Sequence, residues 1–511
     1  MLNELKPLVV VLALALVVFA IAKPVCLNFM ALSDFTRRRN VWFVLTCTGF
    51  VAPNIWLFAA VALPLVFWAT YVDRHPTALY LMLLLTVPPA SLPIPLPLVN
   101  QLFELSPFRI LALALLVPAA ARIVRSGGAR PPGLVQVDLM LIAYGILQLA
   151  LYMPYESVTN TMRRAFLFGL DTYALYFVFS RGAATKPALH DTLASFWLAC
   201  AILVPITVFE SAKGWLLYTG IPSKWGAPND FSWLLRDGML RAQASGGHSL
   251  VMGYLFAIAL GFWLYLGGRI QSRRLLWGVG AAMWCGLFAT FARAPWIVAA
   301  VILVLYLWIS PAGRRRIVGT TVGLAVGVVA LSATPFGARV VDSLPFIGTV
   351  EQGNVDYRQQ LATVSWRLIQ QNPFFGNPFA GSQMQELRQG QGIIDLVNTY
   401  AAIGVFYGLV GLALFVGCLV YPVFRAILVA FASRNRDVSG ANLGAMLVAC
   451  MLGTLVMAAT VSFGLAFELI AWVLAGLCCA YTTAMYSQSS NAFGRQGAAP
   501  FRAEPVPQTH R

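Results

Sequence analysis

Arginine outnumbers lysine 30 to 5 in this 511-residue chain, and several arginines stand where little else is polar. Arg241 closes a long loop, Arg293 sits in a very short turn between two apolar runs, and Arg358 and Arg367 share one amphipathic stretch. A guanidinium offers two parallel N–H donors to phosphate oxygens, so a group of them suits a pyrophosphate where no metal is at hand. The plain alternative for Arg293 is a side chain snorkelling to a membrane surface. Arg367, nine residues after Arg358, falls on the other helix face. His248, one of four histidines, follows Arg241 by seven residues at the start of an apolar run. A neutral imidazole there could accept a proton, bond a sugar hydroxyl, or only serve the helix start. Asp395, just before Asn398-Thr399-Tyr400, is a proton acceptor or a helix cap. Trp215, Tyr218, Trp225 and Trp233 crowd one loop, where aromatic faces suit sugar stacking or anchoring at an interface.

The elements that must position these groups are membrane helices. With 59% hydrophobic and 11% charged residues, the chain carries more apolar surface than a soluble core of its length can bury. Apolar runs near the roughly 20 residues needed to cross a hydrocarbon core recur throughout, and backbone in lipid must bond to itself. The fold class is therefore all-α and polytopic, with about 12–14 spans. These are expected at 7–22, 54–72, 77–95, 108–124, 138–154, 163–180, 188–209, 249–267, 275–292, 295–310, 316–333, 397–422, 443–462 and 465–484. Asp171 and Glu468 fall inside spans, where ionisable groups need a cavity or a partner. The eight cysteines lie in or beside apolar runs without metal-ligand spacing and read as small core residues. Ala20-Ile21-Ala22 is a passable signal-peptidase site, although multi-spanning proteins usually retain their first helix. No P-loop, dinucleotide fingerprint, zinc motif or Ser-His-Asp order occurs in the sequence, so ATP-driven transport finds no support in it.

The net charge of +16 is spread in short clusters between apolar runs, which favours membrane orientation over nucleic-acid binding. Clusters around Arg122–Arg130, Arg181–Lys186, Arg269–Arg274, Arg314–Arg316 and Arg425–Arg436 are assigned to the cytoplasm. Arg37-Arg38-Arg39 resists this: counting back places it outside, unless Val41 to Pro53 is a short or re-entrant segment that repairs the parity. The organisation is then 1–209 N-terminal spans, 210–247 first long outer loop, 248–333 central spans, 334–396 large outer loop, 397–485 C-terminal spans and 486–511 disordered cytoplasmic tail. Within the large loop Tyr357, Leu361, Val364 and Leu368 recur at helical offsets, and Asn372-Pro373 ends that helix. Trp366 and Phe374-Phe375 place it on the membrane surface.

In order, these features resemble the family of O-antigen ligases and O-antigen or exopolysaccharide polymerases. The similar segments are RAQASGGHSLVMGY (241–254), TFARAPW (290–296), YRQQLATVSWRLIQQNPFFG (357–376) and DLVNTYAAIGVFYGLVG (395–411). The N-terminal third agrees only in hydropathy. The resemblance implies a helical, GT-C-like membrane glycosyltransferase at the outer face of the bacterial inner membrane, without a metal or other cofactor. Its donor would be a lipid-linked oligosaccharide on polyprenyl pyrophosphate and its acceptor a glycan, with membrane lipids and other polysaccharide-assembly proteins as partners. By the same resemblance Arg241, Arg293 and Arg358 would bind the pyrophosphate, His248 and Asp395 would be the catalytic bases, and Trp225, Trp233, Asn398 and Tyr400 would contact glycan. Ligases carry a histidine immediately before the asparagine of the closing span. Here that position is Val397, which favours polymerisation over ligation onto lipid A core. A lipid-linked sugar flippase or secondary transporter is the competing class, expected to show paired repeats, of which this sequence has none.

Overall fold

The computed structural model describes residues 2–95, 101–127, 133–228, 233–236, 238–314, 352–388, 394, 396–462 and 464–496. Among them nine helices are long and apolar enough to cross a membrane: Leu5–Cys26, Ile55–Val72, Pro107–Arg125, Leu134–Tyr152, Lys186–Lys213, Ser249–Arg269, Thr399–Ser433, Val438–Ala458 and Ala466–Ser487. Arg293–Ile309 is a shorter apolar helix beside them. The protein is an all-α, multi-pass membrane protein. Ser249–Leu266 and Val438–Ala458 form its centre. The first of these is buried along nearly its whole length, and Trp197 stacks on Trp263 at 4.9 Å to join it to Lys186–Lys213.

Two departures from hydropathy matter. Leu32–Val51 is a full helix that carries Arg37-Arg38-Arg39 inside it, so the chain makes a crossing that polar residues concealed. Arg38 is 1% exposed, yet its guanidinium donates to Asp73 (2.6 and 2.9 Å), Asp191 (2.5 and 3.0 Å) and Ser195 (2.9 Å). His75 Nδ1 meets Asp191 at 2.8 Å. A buried cation is tolerable only when paired and hydrogen-bonded in this way. With this crossing included, Arg38 comes to the same end of the bundle as the other clusters. Lys186 pairs with Asp437 there, Arg269 donates to Ser439 (3.0 Å), and Arg434 donates to the Ile309 carbonyl (2.6 Å).

The second departure corrects the expected span 77–95. Its helix, Pro76–Leu83, stops after eight residues, and the chain continues as a buried irregular segment into an antiparallel hairpin, Leu92–Pro95 with Gln101–Leu105. Pro88, Pro89, Pro93 and Pro95 lack the N–H that a helix ladder needs. Elsewhere 163–180 lies in Val158–Gly182, a helix widened by a π turn at Gly169–Tyr173. Span 316–333 lies outside the described residues. Asp171 and Glu468 both have partners: Arg109 donates to Asp171 (3.0 Å), while Thr172 and Trp472 donate to Glu468 (3.3 and 3.2 Å). Six cysteines are buried as expected, but Cys285 is exposed. The last helix runs to Gln496, past the start of the expected disordered tail, whose remaining residues lie outside the description.

Candidate functional site

At the end of the bundle opposite the basic clusters, the site is assembled on a buried carboxylate. Glu210, in the last turn of Lys186–Lys213, is 0% exposed and accepts the N–H groups of Leu217 (2.9 Å), Gln243 (3.0 Å) and Ala244 (2.8 Å). One side chain thus fastens both ends of the first long loop. Ser245 donates to the Leu85 carbonyl (2.7 Å), bringing the irregular segment after Pro76–Leu83 against the same loop. Ala242 N–H donates to Ala289 O (3.3 Å) and Arg236 to Phe291 O (3.0 Å), docking the 290–292 turn beside it. Ala244 (φ 41°) and Phe291 (φ 45°) are the non-glycine residues in left-handed conformation among those described. Such strain persists only where surrounding contacts impose it.

This docking brings the segments that bear Arg241, His248 and Arg293 to one end of the bundle, with the Arg241 guanidinium near His248. His248 caps Ser249–Leu266, its Nδ1 accepting the Leu250 N–H (3.2 Å). Burial and the nearby Arg241 guanidinium push its pKa down to about 4. The ring is therefore neutral at pH 7, and with Nδ1 accepting, its proton resides on Nε2. In this arrangement His248 presents an Nε2–H that can donate to an oxygen. Arg293 opens the helix Arg293–Ile309, and its buried Nε has no hydrogen-bond partner among the described residues. The two helices approach closely: a Cβ on Gly253 would stand 2.8 Å from Pro295 Cγ and 3.0 Å from Thr290 Oγ1.

A second group rises around the turn after Val438–Ala458. Arg358 donates to the Thr460 carbonyl (3.4 Å), and Thr399 donates to Val461 O through both N–H (3.1 Å) and hydroxyl (2.8 Å). Tyr400 donates to Leu455 O (2.8 Å), while Asn398 Oδ1 caps the helix by accepting from Tyr400 and Ala401 N–H (3.0 and 3.1 Å). Gly453 packs on Val298 and Ile302 of the antiparallel Arg293–Ile309 helix. Arg293 lies five residues beyond Val298, and Ala458 five beyond Gly453, each about 7.5 Å further out at 1.5 Å per residue. Tyr254 OH meets Thr454 Oγ1 at 2.8 Å, setting His248's helix to the same height. Both groups therefore surround the outer end of Val438–Ala458.

Other expected residues fare differently. Trp225 is 5% exposed, donates to Ala52 O (3.0 Å) and packs on Phe58, so it anchors the loop and offers no open face to a sugar. Trp233 is exposed. Asp395 lies outside the described residues. Arg367 pairs with Glu386 at the surface (3.0 Å), consistent with its place on the other helix face. The anchoring work of Glu210 escaped sequence reading; its one signal was a lone carboxylate at the end of a long apolar run.

The helix from Gln352 to Gln371, its docking partner Thr399–Ser433 and the Arg293 turn fall within one stretch of chain. Residues 278–416 match the family model of the O-antigen ligase domain. That O-antigen ligase match contains three of the four similar segments, 241–254 alone preceding it. The resemblance is thereby borne out, and with it a function in membrane glycan assembly. No curated protein matches the chain.

Proposed function

We propose that the protein is a glycosyltransferase of the bacterial inner membrane that polymerises polysaccharide, moving a glycan from polyprenyl pyrophosphate to a sugar hydroxyl at the periplasmic face. What supports this reading is that the segments bearing Arg241, His248, Arg293 and Arg358 lie at the bundle end remote from the basic clusters, with Arg293 and Arg358 inside the O-antigen ligase match and Arg241 and His248 just before it. The departing pyrophosphate gains negative charge as the sugar–oxygen bond breaks, and guanidinium forks aimed at it stabilise that change. His248 Nε2–H adds a neutral donor. Asp395 takes the proton from the attacking hydroxyl, and attack from the opposite face inverts the anomeric carbon. Val397 in place of a ligase histidine favours polymerisation; the matched family's description favours transfer to lipid A core or another acceptor as the second reading.

The test is a strain deleted for the gene and complemented with Arg293→Lys or Arg358→Lys, with surface glycans displayed by length. Single repeat units are the expected result. Long chains stranded on the lipid carrier would transfer the assignment to ligation, and units trapped inside would make the protein a flippase. Unaltered glycans would remove both arginines from the mechanism.

A further inference from the structure

The helix bearing Arg358 is joined to the membrane bundle in an unusual way. Thr399–Ser433 is not continuous: Gly408 stands at φ 68°, ψ −171°, and the α-helical ladder breaks there. The Asn372-Pro373-Phe374-Phe375-Gly376 turn that ends the outer helix enters this break. Leu409 N–H donates to Pro373 O (2.8 Å) and Val410 N–H to Phe374 O (3.1 Å), while Asn377 N–H donates to Val405 O (2.8 Å). Backbone groups freed by the break are thus satisfied by the turn, as they must be where water is scarce. Two glycines make the approach possible. A Cβ on Gly376, at φ 66°, would stand 2.5 Å from Gly408 N, and one on Gly408 would overlap the Phe374 carbonyl.

The outer helix also has a small core of its own. Leu361, Val364, Leu368, Ala380, Met384, Leu387 and Val405 form a small cluster separate from that of the bundle. The outer half of the broken helix faces both, with Val405 in the small cluster and Ile403 in that of the bundle, while the inner half packs with the membrane helices. We infer that the Gly376–Gly408 junction is a rigid splice whose function is to hold the outer helix against the bundle, making these glycines positioning residues for Arg358. This rests on the proposed function only for what Arg358 does, since the splice is a property of the protein without substrate.

The experiment pairs a distance with a rate. Spin labels on Gln359→Cys and Ala459→Cys, both exposed positions, report the separation of the outer helix from the 459–462 turn, in full-length protein with exposed Cys285 changed to Ser. Leu409→Pro removes one splice donor at the opening of the inner half-helix, where proline is tolerated. Gly408→Ala is the harsher variant, and Gly381→Ala, with open space around its Cβ, is the control. We expect Leu409→Pro to broaden the distance distribution and lower glycan transfer about 10- to 100-fold, as misplacement by about 1 Å does. Gly381→Ala should change neither. In an Arg358→Ala background the Leu409→Pro penalty should largely vanish, because both act through one guanidinium. An unchanged distance distribution in Leu409→Pro would overturn the splice, and a full penalty in the Arg358→Ala background would overturn positioning through Arg358. Full transfer by Arg358→Ala alone would instead overturn the role given to Arg358 in the proposed function, so the two failures read differently.

Discussion

Replacing Arg293 separates a binding role from a structural one, because the structure predicts opposite effects on rate and stability. Its Nε has no partner among the described residues, so truncation strands no buried group. It also occupies the first turn of Arg293–Ile309, where a cation opposes the helix dipole by about 0.3–1 kcal/mol. Arg293→Gln should therefore melt at the wild-type temperature or slightly above it. Its effect on transfer should be large. Loss of one preorganised donor at a developing oxyanion costs about 2.7–4 kcal/mol, or roughly 10²–10³ in rate. Arg293→Lys keeps the charge but loses the fork. At about 1.5–3 kcal/mol for one hydrogen bond to a charged group, it should fall by roughly 10- to 150-fold. The assay is turnover of a synthetic polyprenyl-pyrophosphate glycan by purified protein in nanodiscs, beside thermal unfolding of the same samples. A loss of activity that tracks a loss of melting temperature would refute the reasoning, as would transfer retained by Arg293→Gln.

Three further substitutions address the scaffold. Glu210→Ala strands three buried N–H groups at roughly 1–3 kcal/mol each, so unfolding should come about 3 kcal/mol or more earlier, with Glu210→Gln intermediate; equal stability in chaotrope titrations would remove Glu210 as the fastening of the loop. Arg38→Met leaves Asp73 and Asp191 buried without their counter-charge, at about 3–5 kcal/mol, and adding Asp73→Asn and Asp191→Asn should recover part of the lost melting temperature. His248, its pKa lowered from 6.5 to about 4, binds a proton more weakly folded than unfolded. Its contribution, roughly 3 kcal/mol, is complete above pH 6.5 and is lost as pH falls toward 4. Unfolding followed from pH 8 to 4 should show that decline in the wild type and a shallower one in His248→Asn, which keeps a capping acceptor; parallel curves would contradict it.

How far the sequence could be read depended on whether the needed information was local. The outer helix was legible because Leu361, Val364 and Leu368 sit at helical offsets and all three are buried. Leu32–Val51 was not, since hydropathy scores Arg38 as a charge, while its neutralisation depends on Asp73 and Asp191, 35 and 153 residues away. Trp225 illustrates the same limit. An indole in a polar loop reads equally as platform or anchor, and only Ala52 and Phe58, distant in sequence, decide between them. The prolines after Val87 were a local warning that an apolar run was not a helix, and composition alone outweighed it.

The crossing by Leu32–Val51 strengthens the argument that began from arginine. Arg37-Arg38-Arg39 was the cluster that contradicted an orientation rule, and the added helix brings Arg38 to Asp191, at the end where the other clusters lie. Arg241, Arg293 and Arg358 lie at the opposite end, each near backbone that breaks a local rule. Ala244, three residues from Arg241, and Phe291, two from Arg293, have left-handed φ without being glycine. The helix of Arg358 is fixed through Gly376 and Gly408, both left-handed. Sequences usually satisfy local preferences and depart from them where function demands a geometry that stability alone would not select. Three such departures near three arginines, on elements far apart in the chain, are what the proposed transferase site would require of its scaffold.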